Sequence, residues 1–174
     1  MAKIITVGAA IQDVFLSQSD ALTPVCESPE HCFARLDLGA KADVNQIHFS
    51  TGGGATNAAV TFSRQGHYAS FMGAIGHDPA GQAVIADLDK ENIDTHLVRY
   101  SPKYSTGYSV LLLASNGERT ILTYRGASTH YHESDFDLSE EDADWLYVST
   151  LAGNMPMLHK LFQQAKRRDM KICF

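Results

Sequence analysis

Three consecutive glycines, Gly52–Gly54, directly before a run with helical periodicity constrain the fold of this chain more than any other stretch. Glycine accepts positive φ values without steric cost and lets a backbone approach a ligand or another strand closely. The apolar residues that follow recur at the helical spacing i, i+3, i+4 and i+7, namely Ala55, Ala58, Ala59 and Phe62. The pattern therefore predicts a helix over about residues 54–65 with one buried face.

The N-terminus of that helix is a candidate binding site for an oxygen-rich small molecule. The first N–H groups of a helix lack intrahelical partners and carry a partial positive charge. Asn57 lies near this end, and its amide both donates and accepts hydrogen bonds. A glycine-rich turn that only lets the helix pack closely explains the same residues, so both interpretations stay open.

Two familiar phosphate-binding patterns do not describe these glycines. A P-loop requires Gly-Lys-Ser/Thr, which occurs nowhere in the sequence. The dinucleotide fingerprint requires a third glycine at the position that Asn57 occupies. The sequence therefore gives no argument for a P-loop nucleotide or for NAD.

Charge and composition limit the partners of the chain. Its 174 residues are 44% hydrophobic and 20% charged, which is typical of a globular domain. The formal net charge of -6 argues against a nucleic-acid partner, and no apolar run approaches the ~18 residues of a membrane helix. The cysteines Cys26, Cys32 and Cys173 have neither disulfide-framework nor zinc-ligand spacing. We therefore predict reduced thiols, no bound metal, no membrane segment and a cytoplasmic location.

Buried strands alternate with helices along most of the chain, which predicts an α/β fold with a mainly parallel sheet. The strands are predicted at 3–8, 68–73, 144–149 and from 171, and the helices at 54–65, 79–92 and from 155. Asp78 followed by Pro79 is typical of a helix N-cap, so Asp78 is interpreted as a cap and not as a catalyst. Short strands at 32–38, 44–50, 97–100, 108–115 and 119–124 form two β excursions from this sheet. Asn116-Gly117 predicts a hairpin within the second excursion.

Three charged residues are candidates for polar contacts with a ligand. Asp13 follows the first strand, at the sheet edge where open α/β folds bind ligands, and it is a candidate acceptor for hydroxyl groups. A turn or cap aspartate explains it equally well. Arg119 and Arg125 are weaker candidates for binding substrate or phosphate, because an arginine on an exposed hairpin is often only solvated.

The order and spacing of these pieces resemble the N-terminal portion of the ribokinase-like (PfkB) carbohydrate kinases, from the first strand to Phe174. The most specific piece is the stretch Gly52-Gly53-Gly54-Ala55-Thr56-Asn57-Ala58-Ala59, which is similar to the N-terminal signature of that family. Supporting pieces follow in the family's order: Gly66, Gly73, Gly76, Asp78, Gly81, Asn92-Ile93-Asp94-Thr95, Thr106-Gly107, Asn116-Gly117-Glu118-Arg119 and Arg125-Gly126-Ala127-Ser128.

The resemblance implies a three-layer, Rossmann-like (ribokinase-like) domain with a parallel sheet and a small β-sheet lid. The core would comprise about 1–13, 52–94 and 126–174, and the lid about 14–51 and 95–125. It implies a sugar or nucleoside substrate bound by Asp13, Gly52, Gly53 and Asn57. It further implies phosphorylation of a substrate hydroxyl by ATP with Mg²⁺, largely through positioning and charge stabilisation, and a homodimer formed through the lid.

The sequence departs from the family pattern in two places. Ile11 occupies a position where many members carry asparagine, which leaves the identity of the substrate open. The second family signature, Asp-Thr-x-Gly-Ala-Gly-Asp, and the Asn-Pro-x-x-Glu element do not occur in the 174 residues. We therefore expect the substrate half of a kinase, with the C-terminal part of the fold missing, with no catalytic residue in this chain and with most of the nucleotide site outside it. The alternatives are a truncated relative that binds a polyol without catalysis, and a structural fragment that dimerises and binds nothing.

Overall fold

A computed structural model describes residues 1–28 and 30–174. In chain order, the strands are β1 (Lys3–Val7), β2 (Ile11–Ser17), β3 (Val25–Ser28), β4 (His31–Phe33), β5 (Gln46–Gly52), β6 (Tyr68–Gly76), β7 (Val98–Ser101), β8 (Gly107–Leu113), β9 (Arg119–Tyr124), β10 (Trp145–Val148) and β11 (Lys171–Cys173). The α-helices are α1 (Gly54–Arg64), α2 (Pro79–Lys90) and α3 (Met155–Arg167). Short 3-10 helices cover Asp20–Leu22, Gly126–Thr129 and Glu133–Asp135. Pro29, inside the first predicted β excursion, lies outside the described residues.

The chain divides into two compact units. The larger unit comprises Met1–Gln12, Thr51–Tyr108 and Arg125–Phe174. The smaller unit comprises Asp13–Ser50 and Ser109–Tyr124.

The larger unit is built on a five-stranded sheet with the order β11-β10-β1-β6-β7. Each pair of neighbouring strands in it is parallel. This confirms the predicted parallel α/β fold. Strand β7 pairs with β6 in this sheet, although the sequence analysis assigns residues 95–125 to the second β excursion.

The two faces of this sheet bury separate cores, because the side chains of β6 alternate between them. Phe71 and Ile75 lie in one cluster, and Met72 and Ala74 lie in the other. The first cluster includes buried residues of α1 and α2: Ala55, Ala59, Val84 and Leu88. The second includes buried residues of α3: Met157, Leu158, Leu161 and Ala165. The sheet is thus the middle of the three layers that the resemblance implies.

The smaller unit contains a hairpin that corrects one prediction. Strands β3 and β4 pair antiparallel, and their register places Cys26 directly opposite Cys32. The two cysteines form a disulfide across this pair, and Cys173 is a free, exposed cysteine. The prediction of reduced thiols was therefore wrong for Cys26 and Cys32, because a six-residue spacing brings two side chains together when the chain reverses between them. Reduced cysteines therefore no longer support the prediction of a cytoplasmic location.

Strands β5, β2, β8 and β9, in that order, form a four-stranded sheet. The reversal between β8 and β9 follows the predicted Asn-Gly turn: the Ala114 N–H donates to the Glu118 carbonyl over 2.9 Å, and Gly117 has a φ of +88°. No helix in the described residues combines the length and the apolar character that are needed to cross a membrane.

Candidate functional site

The glycine turn lies where α1 begins, beside the C-terminal ends of two sheet strands. Gly53 has a φ of +114° and precedes the first residue of α1. A Cβ atom on Gly53 would lie 2.2 Å from the carbonyl oxygen of Ala9, just beyond β1. A Cβ atom on Gly54 would lie 2.3 Å from the Ser149 hydroxyl oxygen, just beyond β10. Close packing against the protein's own backbone therefore requires glycine at position 53, whatever else the turn does.

Hydrogen bonds fix this turn on both sides. The Thr56 hydroxyl donates to the carbonyl oxygens of Gly52 and Gly53, over 2.8 and 2.9 Å. The Thr51 hydroxyl donates to the Asp87 carboxylate of α2 over 2.8 Å. Thr56 is fully buried, so a buried side chain holds the turn in place. The sequence contained this residue within the glycine stretch, but no role was predicted for it. The result is a rigid helix start at the edge where parallel sheets bind ligands.

Asn57 lies in the first turn of α1, and its side chain is exposed. Its N–H donates to the Gly53 carbonyl over 3.0 Å, so the backbone there already belongs to the helix. The amide side chain extends from the same turn that contains Gly52 and Gly53. Three of the residues predicted to bind substrate therefore occupy one turn of the larger unit.

The other predicted site residues are distributed over both units. Asp13 is the third residue of β2 in the smaller unit and not part of a loop; the Ser109 hydroxyl donates to its carboxylate. Burial raises the pKa of Asp13, and the hydrogen bond from Ser109 partly opposes that rise. Arg119 is exposed at the start of β9 in the smaller unit, where it lines a cavity of about 400 Å³ with Phe33 and Glu118. Arg125 is exposed and precedes the 3-10 helix Gly126–Thr129 in the larger unit.

Asp78 caps α2, which confirms the prediction made from the sequence. Its carboxylate accepts from the Gly81 N–H over 2.8 Å. It also accepts from the Thr106 hydroxyl over 2.7 Å and from the Thr106 N–H over 2.8 Å. The Gly76 N–H in turn donates to the Thr106 hydroxyl oxygen over 2.9 Å. Although burial raises the pKa of Asp78, these hydrogen bonds from Gly81 and Thr106 outweigh it and hold the pKa below its ordinary value.

Neither a cluster of metal ligands nor the family's second signature is found among the residues that the structure describes. Within residues 1–28 and 30–174, no group of three or more His, Cys, Asp or Glu side chains is placed to hold a metal ion. The Gly-Ala-Gly-Asp stretch that the resemblance assigns to phosphate binding is also absent from the sequence. We therefore derive no phosphoryl-transfer step from the groups that the structure describes.

Comparison with known proteins places this geometry in a family. The model of the pfkB family carbohydrate kinases matches residues 3–173. Over 118 residues, the chain is 30% identical to a fructokinase from Vibrio alginolyticus, an alignment that covers 67% of this chain and 38% of the relative. The aligned part of the chain thus spans well under half the length of this relative.

Solved structures share the fold over nearly the whole chain. A sugar kinase from Pyrococcus horikoshii in complex with ATP superposes with a TM-score of 0.71 at 24% identity, covering 97% of this chain and 51% of that one. A ribokinase from Cryptococcus neoformans in complex with ADP gives 0.70 at 20% identity, covering 99% and 48%. The chain therefore spans about half the length of these structures. It belongs to the pfkB family of carbohydrate kinases.

Proposed function

We propose that this chain carries the substrate-binding half of a kinase that transfers the γ-phosphoryl group of ATP, with Mg²⁺, to a hydroxyl of a sugar or nucleoside. The observation that supports this most is the fixed glycine turn of Gly52 and Gly53 at the carboxyl edge of the parallel sheet. Membership of a family of carbohydrate kinases supports the reaction class. The complexes of its structural relatives with ATP and ADP support the choice of nucleotide.

In this proposal, the candidate site residues of this chain bind the substrate and do not catalyse its reaction. The Asp13 carboxylate accepts hydrogen bonds from substrate hydroxyls, since a carboxylate removed from water forms strong bonds to such donors. Asn57 both donates and accepts, which matches a hydroxyl group. The backbone of Gly52 and Gly53, in the turn directly before α1, would contact the same molecule. Arg119 and Arg125 are the weaker candidates, and they would contact anionic groups.

The role of Asp13 is tested by ligand binding to the 174-residue chain. D-fructose, D-ribose and adenosine are titrated, and we expect at least one of them to raise the melting temperature, because a ligand of the native state stabilises it. Asp13→Ala should weaken that binding by about tenfold or more, which is a loss of about 1.4 kcal/mol or more. Asp43→Ala, which removes an exposed carboxylate of the same unit, is the matched control and should leave the affinity unchanged.

The outcomes separate the proposal from its alternatives. If Asp13→Ala and the unchanged chain bind the ligand with equal affinity, Asp13 does not contact the substrate. Stabilisation by a sugar is expected both of the substrate half of a kinase and of a polyol-binding module, since neither has a catalytic residue in these 174 residues; a Gly-Ala-Gly-Asp motif encoded after Phe174 in the same gene would favour the kinase. No response to any of the three ligands would favour a fragment with a structural role.

We also propose that the protein forms a homodimer through the smaller unit. The outer strands β5 and β9 of its four-stranded sheet expose apolar side chains: Ile47, Phe49, Ile121 and Leu122. Edge strands with exposed apolar residues are prone to pair with another chain. Sedimentation velocity should show a dimer that Ile47→Glu converts to monomer, whereas Lys41→Glu in the preceding loop should not. A monomer at all concentrations up to the millimolar range would refute the dimer.

A further inference from the structure

A cavity of about 410 Å³ in the larger unit lies beside the outer strand β7 of the parallel sheet. Its lining includes Arg99 and Lys103, together with the imidazoles of His130 and His132. None of the residues predicted above to bind substrate lines it. Its volume falls within the range of about 300–1,000 Å³ that is typical of sites for small molecules.

The loop that carries Lys103 is fixed by specific contacts. The Ser101 hydroxyl oxygen accepts from the N–H groups of Lys103 and Tyr104, over 3.3 and 3.0 Å. The Tyr104 ring stacks on the His130 ring, with their centroids 3.8 Å apart and an interplanar angle of 19°. Nδ1 of His130 lies 2.8 Å from the carbonyl oxygen of Gly126, which only accepts, so Nδ1 is the donor. The loop and the imidazole thus hold each other in place.

The cavity concentrates positive charge in an acidic chain. In the part of the chain that the structure describes, neither Arg99 nor Lys103 forms an ion pair with a carboxylate. The lining also includes the carboxylate of Asp135, which accepts a hydrogen bond from the backbone N–H of His132 over 2.7 Å.

Two other cavities of the chain have the opposite balance of charge. One is lined by Lys3 with three carboxylates: Asp94, Glu141 and Asp142. The other is lined by Arg119 with two: Glu30 and Glu118. The cavity beside β7 differs from these two cavities because its lining contains two cations that form no ion pair among the described residues.

We propose that the cavity beside β7 binds the phosphate group of a small phosphorylated molecule. The two cations outnumber the carboxylate of Asp135, so the lining favours an anionic ligand such as phosphate. The planar guanidinium of Arg99 suits bidentate contacts with its oxygens, and the ammonium of Lys103 adds a second cationic contact. The cavity is larger than a bare phosphate requires, so there is space for a sugar or nucleoside attached to it. The lining of this site shares no residue with the proposed substrate site.

Thermal stability of the 174-residue chain tests the proposal with three probes: inorganic phosphate, D-fructose 6-phosphate and AMP. Sodium chloride at matched ionic strength corrects for screening, which acts on all surface charges. We expect stabilisation by at least one probe beyond that of chloride. The probe with the lowest dissociation constant identifies whether a free phosphate, a sugar phosphate or a nucleotide is the preferred source of the group.

Variants then locate the binding. Arg99→Gln and Lys103→Gln should each raise the dissociation constant, and together they should raise it by about tenfold or more. Arg167→Gln, which removes an exposed arginine from the last turn of α3, is the matched control and should have no effect. Both cavity side chains are exposed, so each single variant should fold. The proposal is overturned if no probe stabilises the chain beyond chloride, or if the stabilisation persists unchanged in both single variants.

Discussion

Gly53→Ala is expected to lower the free energy of unfolding by about 3 kcal/mol. Two costs add. The backbone at Gly53 has a φ of +114°, which is unfavourable for any residue with a side chain. The new Cβ atom would also lie 2.2 Å from the Ala9 carbonyl oxygen, so backbone and not a flexible side chain must move. Urea unfolding measures the loss as a lower midpoint at constant slope.

Gly66→Ala is the matched control for that experiment. Gly66 follows the end of α1 with a φ of +84°, but a Cβ atom there would meet nothing within 4 Å. Only the cost of the backbone conformation remains, which is about 1 kcal/mol. Equal losses in the two variants would mean that the contact with Ala9 carries no energy. The glycine turn would then be explained by its φ value alone.

The elements of the larger unit could be predicted because their signals are local. A cap and a proline mark the start of α2, and Asn154 caps α3 by accepting from the Met157 N–H over 3.1 Å. The predicted bounds of β9, 119–124, are those of the structure. Apolar periodicity and capping residues act within a few positions of each other, so a single sequence contains them.

Strand β2 was not predicted, because polar residues interrupt its apolar pattern. Gln12 is only 4% exposed and Asp13 is half-buried, so polar side chains occupy positions that ordinarily indicate a turn. Asp13 therefore lies within a strand, where the sequence analysis expected a turn or the end of the preceding strand. Burial of a polar side chain depends on partners distant in sequence, which local patterns do not reveal.

Contacts between distant segments account for the other differences. The Cys26–Cys32 disulfide depends on the register of β3 and β4, and the pairing of β7 with β6 depends on the order of strands in the sheet. In the candidate site, the glycines and Asn57 were found because they are adjacent in sequence. The support from Thr56 was missed, although its position in the motif was a signal. The bond between Asp78 and Thr106 joins residues 28 positions apart, and no local pattern indicates it.

Asp78→Ala is expected to lower the free energy of unfolding by about 2–3 kcal/mol near neutral pH. The substitution removes the cap of α2, which is worth about 1 kcal/mol, and it removes the hydrogen bonds that join this helix start to Thr106. It also leaves the Thr106 N–H, in a buried residue, without its acceptor. Asp89→Ala, which removes an exposed carboxylate from the same helix, should change stability by no more than about 0.5 kcal/mol.

The loss in Asp78→Ala should depend on pH in a defined direction. The pKa of Asp78 in the folded chain lies below its ordinary value of 3.8, because its hydrogen bonds favour the ionised carboxylate over the effect of burial. The stabilisation from ionised Asp78 is therefore complete above the unfolded-state pKa and is lost as the pH falls through the folded-state pKa. Urea unfolding from neutral pH down to about pH 3 should show the two chains converging in stability. A difference that stays constant over that range would show that the neutral carboxyl holds the helix start and Thr106 together as well as the carboxylate does.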